Sequence, residues 1–233
     1  MKATERPEDL GTFETERDAF KDALTVWAGR QADGLLERAD AKDGGPPDFY
    51  DLWAAQSPER QAQLAALIQG YGFRLAQIGA WSVLGIWNPE GDGWDPAVME
   101  AWLAKAAESH AAEYEQAAYS AATAAVRDEG DWRENLQSGL SSWVVDAGLR
   151  AVTAATEARS FGSHDAAGAS GLTHKVWRTG GKNPRASHVR MNGESVELGG
   201  IFSNRLRWPG DANGDADETA NCNCRLDYTR EGG

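Results

Sequence analysis

The chain has 233 residues, of which 41% are hydrophobic and 25% are charged, and this balance excludes wholesale disorder. Its 36 acidic and 23 basic side chains give a formal net charge of −13, which argues against a protein that coats nucleic acid over its whole surface. The longest apolar run, residues 78–87, is about half a membrane span, and no apolar core follows the N-terminus, so we expect neither a transmembrane helix nor a secretory signal.

Four stretches in the N-terminal part predict long helices, because apolar residues recur there at helical spacing. Ser57-Pro58 and Asp95-Pro96 are typical helix starts, in which a capping residue precedes a proline whose missing N–H costs nothing. The third helix is rich in alanine, and its small side chains allow another helix to approach closely. The predicted helices cover residues 12–39, 57–84, 96–129 and 136–161.

Composition changes near residue 163, from Ala, Leu, Trp and Glu before it to Gly, Asn, Asp and Arg after it. The small and polar residues 163–173 are typical of a linker. We therefore predict an α+β protein with a mostly helical region over 1–162, a linker over 163–173 and a small domain over 174–233 that contains antiparallel strands.

The hydrophobic period beyond residue 172 indicates strands rather than helices. Residues 175–178 are predicted as a strand, and residues 224–228 could form a closing strand. Asn192-Gly193 suits a two-residue turn, so we predict a hairpin that joins residues 189–191 to residues 194–198.

The two cysteines are too few for a disulfide framework, but their spacing suggests a metal site. Cys222 and Cys224 point to one side of an extended segment, and two thiolates with the imidazole of His188 are ligands that zinc accepts. His174 or Asp211 would then supply the fourth ligand. The alternative is two reduced, buried thiols beside a hydrogen-bonded histidine, and both hypotheses place His188 close to the two cysteines.

A run of basic residues without any acid opens the second part of the chain, between residues 172 and 192. Such a run is a candidate for phosphate contact, and we expect weak DNA binding that falls as salt rises. A solvated surface or a docking surface for an acidic partner would account for the same residues. The candidates are Lys175, Arg178, Lys182, Arg185 and Arg190.

The sequence contains no P-loop, GxGxxG, HExxH or GxSxG motif, and no nucleophile, base and orienting residue stand in a catalytic pattern. The residues by themselves therefore do not assemble a catalytic set.

An ordered set of residues in the last part of the chain resembles the Mu F-like head morphogenesis proteins, the minor capsid proteins of tailed phages. Thr-Glu closes the last long helix, Arg-x-x-His precedes a glycine turn, and Trp-Pro-Gly-Asp is followed by Asn-Cys-Asn-Cys. The residues that carry the resemblance are Thr156, Glu157, Trp177, Arg185, His188, Gly193, Phe202, Pro209, Gly210, Asp211, Asn221, Cys222 and Cys224.

This resemblance implies a structural protein of the virion rather than an enzyme. Such a protein is made in the host cytoplasm and enters the procapsid interior. Its implied partners are the portal protein, a capsid or scaffold protein and viral DNA, with no membrane, and its role is to assist head assembly and the packaging or release of DNA. We expect the helices to make the main contact with the portal. The residues themselves leave open a metal-dependent nuclease or toxin-like effector, and a DNA-binding accessory protein.

Overall fold

The computed structural model describes residues 10–40, 48, 50, 53 and 56–230. The long helices are α1 (Phe13–Asp40), α2 (Ser57–Trp87), α3 (Pro96–Arg127) and α4 (Trp132–Ala169). The elements after them are β1 (His174–Arg178), α5 (Ala186–Met191), β2 (Ser195–Glu197), α6 (Ala216–Thr219) and β3 (Arg225–Thr229). This order confirms the predicted α+β class. In the part of the chain just given, no helix combines the length and the apolar content needed to cross a membrane.

Local signals account for where the long helices begin. The Asp95 carboxylate accepts a hydrogen bond from the backbone N–H of Ala97 at 3.0 Å, as a capping residue should. Asp131 caps α4 in the same way, through the N–H of Arg133 at 2.8 Å. Helix α2 begins at Ser57, where the sequence places a helix start. The Ser57 hydroxyl, however, donates to the Glu115 carboxylate at 3.2 Å instead of capping the helix.

The predicted linker over 163–173 is wrong for residues 163–169, because α4 continues to Ala169. Small side chains in this stretch serve close packing: Ala166 and Ala167 are fully buried, and the buried Ser163 hydroxyl lies 2.8 Å from the Tyr228 hydroxyl. The helix ends before Gly171, which has a φ of +67°. The division at residue 162 is therefore also wrong.

The chain instead forms two compact units, each built from segments distant in sequence. The C-terminal unit comprises the described residues of Met1–Asp18, Gly70–Leu103 and Arg150–Gly233. The helical unit comprises the described residues of Ala19–Gln69 and Ala104–Leu149.

The core of the helical unit contains aromatic rings and one buried ion pair. Trp143 lies edge-on to Trp27 and to Trp53, with ring centroids 6.1 and 6.4 Å apart. Arg60 and Glu115 are each 3% exposed and pair through two nitrogens, at 3.0 Å from Nε and 2.9 Å from Nη2. The Arg60 guanidinium also lies 4.2 Å from the Trp53 ring centroid, so this pair is enclosed by apolar surface.

The sheet of the C-terminal unit has the order β2-β1-β3, and both pairings are antiparallel. The predicted hairpin is wrong, because residues 186–191 form α5 and β2 pairs with β1. His188 and Met191, three positions apart, face the core, and burial of this stripe favours a helix over a strand. The turn at Gly193, with a φ of +90°, joins α5 to the strand region.

Helices α2 and α4 approach each other closely inside the C-terminal unit. A Cβ added at Gly162 would lie 2.0 Å from the backbone oxygen of Ala76, and one added at Gly79 would lie 2.0 Å from that of Arg159. Only glycine fits at these two positions, because the obstacle is backbone that cannot move aside.

We expect Gly162→Ala to lower the free energy of unfolding by about 3 kcal/mol, since the added methyl group forces the two helices apart. Chemical denaturation followed by circular dichroism measures this change. Gly85→Ala is the matched control on α2, because the added Cβ meets no atom within 4 Å and alanine raises helix propensity by up to about 1 kcal/mol. Equal stability of the Gly162 variant and the wild type would contradict the close approach.

Candidate functional site

The structure brings together His188, Cys222 and Cys224 in the interior of the C-terminal unit. The Nδ1 atom of His188 lies 3.3 Å from Sγ of Cys224 and 3.7 Å from Sγ of Cys222. All three residues are at most 2% exposed, and their ligand atoms lie within 4.8 Å of one another. No other group of three or more histidine, cysteine and acidic residues in the described chain has such an arrangement.

The imidazole of His188 is oriented from its far side by a carboxylate. Nε2 of His188 lies 3.0 Å from Oε2 of Glu218, and the same oxygen accepts a hydrogen bond from Asn204 at 3.1 Å. The Trp177 ring packs edge-on against the imidazole at 5.1 Å. Glu218 therefore directs Nδ1 of His188 towards the sulfurs, in the way that carboxylates orient histidines bound to metals.

Two of the three separations between the donor atoms are close to those around a tetrahedral metal ion. With metal–sulfur and metal–nitrogen bonds of about 2.3 and 2.0 Å, tetrahedral ligand atoms lie about 3.5–3.8 Å apart. The two nitrogen–sulfur distances, 3.3 and 3.7 Å, are close to that range. This group can therefore hold a metal ion with little movement of its side chains.

Without a metal ion, the cluster favours one thiolate. The hydrogen bond from the Cys222 thiol, with those from His188 and the Gly180 backbone, lowers the pKa of Cys224 well below that of an ordinary thiol despite burial. The pKa of Cys222 is raised, through its hydrogen bond to Cys224 and through burial. Burial acts to lower the pKa of His188, but the hydrogen bond to Cys224 and the charges of Cys224 and Glu218 raise it overall. The thiolate that a metal requires is thus already favoured at Cys224.

Helix α4 fixes the backbone of the cysteine segment. The Thr156 hydroxyl donates to the carbonyl of Cys222 at 2.5 Å, and the Arg159 guanidinium donates to that of Cys224 at 2.6 Å. The Thr153 hydroxyl accepts from the N–H of Asn221, whose φ of +54° is unusual for a residue other than glycine. These three contacts hold both sulfurs on the side that faces His188.

The turn around Gly210 contacts the same helix but contributes no ligand to the cluster. A Cβ added at Gly210 would lie 2.8 Å from the backbone nitrogen of Glu157, and the Glu157 carboxylate accepts from the N–H of Ala212 at 3.1 Å. Asp211 binds Arg207 at 2.6 and 2.8 Å. Burial acts to raise the pKa of Asp211, but hydrogen bonds from Arg207 and Asn213 lower it to about 2. The proposal of Asp211 as a metal ligand is therefore wrong.

His174 is not a ligand either. It begins β1 and pairs with Thr229 of β3. Arg178, at the other end of β1, pairs with Arg225, the residue that follows Cys224. Four strand residues span about 13 Å, so the His174 ring is far from the cysteines. Its Nδ1 lies 3.0 Å from the Thr173 hydroxyl.

The five basic residues proposed for DNA binding lie in different surroundings. Lys175 is 1% exposed, and its ammonium lies 5.6 Å from the Phe202 ring centroid. The prediction that Lys175 contacts DNA at the surface is therefore wrong. Arg178 binds Asp227 at 2.6 Å, and Arg185 donates to the carbonyl of Ala220. Lys182 and Arg190 are exposed.

We expect Lys175→Met to stabilise the chain at pH 7 by about 1 kcal/mol, because methionine avoids burial of an ammonium group. Burial, followed by repulsion from Arg207, lowers the pKa of Lys175 to about 8. Between pH values of about 8 and 10.5 the unfolded chain binds more protons than the folded chain, so the stability of the wild type rises with pH in this range. Urea denaturation at pH 7 and pH 10 should therefore show a smaller gain at pH 10. A gain independent of pH, or an equal gain in the exposed Lys182→Met control, would contradict this.

Sequence reasoning found the centre of the site but missed several of its supporting residues. No pattern in the sequence points to Asn204, Thr153 or Arg159, because each acts through a contact with a residue distant in sequence. The remaining motif residues also lie in this unit: Trp177 packs on Phe202 at 5.1 Å, and Pro209 is buried.

Comparison of the chain with protein-family models, with curated proteins and with solved structures gave no match.

Proposed function

We propose that the chain is a minor capsid protein of a tailed phage, which assists head assembly and the packaging or release of DNA. The observation that supports this most is the convergence of the motif residues. They are spread over residues 156–224, yet they form connected contacts: Thr156 binds Cys222, Glu157 binds the turn after Gly210, and Trp177 packs on His188. Motif residues that support one another in this way favour a structural module.

We further propose that the metal is zinc and that its role is structural. Two thiolates and one imidazole suit zinc, whereas magnesium and calcium prefer oxygen ligands. Synthesis in the host cytoplasm would keep both thiols reduced. The ion would join α5 to the segment that leads into β3, and so cross-link two parts of a small α+β region.

The alternatives have less support from this geometry. A metal-dependent nuclease needs its metal close to a DNA-binding surface, and one that uses magnesium needs oxygen ligands. Here the donors are sulfur and nitrogen, and of the basic candidates Lys175 is buried and Arg178 is paired. The same two residues weaken the hypothesis of a DNA-binding accessory protein.

For the portal contact we propose the helical unit. Val26, Val145 and Leu149 are large apolar residues of this unit that are 54%, 67% and 45% exposed. Val145 and Leu149 are four residues apart on α4, so they share one face. Exposed apolar residues at helical spacing suit a partner helix. The implied locations are the procapsid interior and the virion, with a capsid or scaffold protein and viral DNA as further neighbours.

Co-sedimentation of the full chain with the portal protein of the same phage tests this function. We expect the wild type to co-sediment and the Val145→Glu/Leu149→Glu variant to lose most of its binding. Val98→Glu is the matched control, because Val98 is 55% exposed but belongs to the C-terminal unit. Absence of portal binding, together with metal-dependent DNA cleavage that His188→Ala abolishes, would favour the nuclease instead.

A further inference from the structure

We infer that the metal site has one exchangeable coordination position and that this position takes a small anion. The inference rests on the proposed metal at His188, Cys222 and Cys224. It goes beyond the structural role, because a closed structural zinc site has four protein ligands and no room for an added one.

The described chain supplies three ligands rather than four. No further histidine, cysteine or acidic residue among the described residues joins the group. Glu218 contacts Nε2 of His188, the ring nitrogen that points away from the sulfurs. The amide oxygen of Asn223, between the two cysteines, already accepts a hydrogen bond from Arg17 at 2.8 Å. A tetrahedral ion at this site therefore has one position left for an external ligand.

The three ligand residues, His188, Cys222 and Cys224, all line a cavity of about 200 Å³, which leaves space beside the ion for an external ligand. Residues 180–185 form one wall and residues 221–224 form the other. A water molecule occupies about 30 Å³ in the liquid, so this space accommodates a ligand of several non-hydrogen atoms. The walls lie close together at Gly180, where an added Cβ would come within 2.4 Å of the carbonyl oxygen of Asn223.

The charge around the cavity selects an anion. A zinc ion with two thiolates and one neutral imidazole is formally neutral. The cavity lining adds the cations Lys182 and Arg185 and includes no aspartate or glutamate. The Glu218 carboxylate on the far side of the imidazole offsets one of these two cations, so the net charge remains positive and a monoanion binds there with favourable electrostatic energy.

The test uses the full chain loaded with cobalt(II), which replaces zinc and reports its ligands through visible absorption bands. Azide, a small monoanion, is added stepwise. We expect the bands of the wild type to shift saturably as azide enters the fourth position. Lys182→Glu should weaken azide binding about tenfold, because it reverses a charge at the cavity wall.

Arg190→Glu is the matched control, because it makes the same change of charge at an exposed residue of α5 that does not line the cavity. The azide affinity of this variant should stay within about twofold of the wild type, since solvent ions screen the charge at residue 190 from the metal site. Stoichiometric cobalt whose bands do not respond to azide would overturn the open position but leave the metal proposal intact. Equal weakening by Lys182→Glu and Arg190→Glu would overturn the role of the cavity wall. Failure of the full chain to bind cobalt would overturn both the metal and the open position.

Discussion

His188→Ala should lower the free energy of unfolding by about 3–5 kcal/mol, the largest effect we expect for a single residue of the C-terminal unit. The variant loses one of the three proposed metal ligands. It also leaves the Glu218 carboxylate without the imidazole at 3.0 Å and the Cys224 sulfur without its partner at 3.3 Å. Urea denaturation in the presence of zinc measures the loss.

His174→Ala is the matched control, because this histidine lies in the same unit but at the far end of β1 from the cysteines. Its effect should stay within about 0.5 kcal/mol. A chelator separates the metal from the packing of the ring: it should lower the melting temperature of the wild type and leave that of His188→Ala unchanged. Equal stability of the two histidine variants would contradict the structural role of the cluster.

In the helical unit, Glu115→Ala should destabilise the chain by about 3–5 kcal/mol. Removal of this carboxylate leaves the Arg60 guanidinium, 3% exposed, as an uncompensated charge beside the Trp53 ring. The size of the loss reflects that buried charge rather than the net strength of the pair.

Two further variants distinguish these contributions in the same denaturation experiment. Arg60→Met/Glu115→Leu removes both charges and should recover most of the lost stability, because apolar residues of similar volume replace the pair. Glu113→Ala changes an exposed carboxylate of the same helix and should stay within about 0.5 kcal/mol of the wild type. A double variant as unstable as Glu115→Ala would show that the pair itself, and not desolvation of one charge, determines the effect.

The long helices could be predicted from the sequence because their signals are local. A cap such as Asp95, a following proline and a stripe of apolar residues all act within a few turns, and α3 begins at Pro96 as expected. The end of α4 could not be predicted in this way. Small residues such as Ala166 and Gly162 are typical of linkers and of close helix contacts alike, and only the neighbouring α2 decides between them.

The centre of the site was predictable, whereas its surroundings were not. The chemistry of two cysteines and a histidine is visible in the sequence, but residues 189–191, the second half of the helix that carries His188, are predicted as a strand. Asn192-Gly193 indicates a turn without specifying what precedes it, and burial of His188 and Met191 on one face selects α5. Lys175 is assigned to the surface by residue type, because nothing in the sequence of β1 reveals that both faces of this strand are covered.

Metal analysis of the purified full chain after expression with added zinc tests the central proposal most directly. We expect one zinc ion per chain in the wild type and none in His188→Ala or in the Cys222→Ser/Cys224→Ser variant, with His174→Ala retaining its metal. A wild-type chain that carries no metal under these conditions would contradict the proposed zinc site.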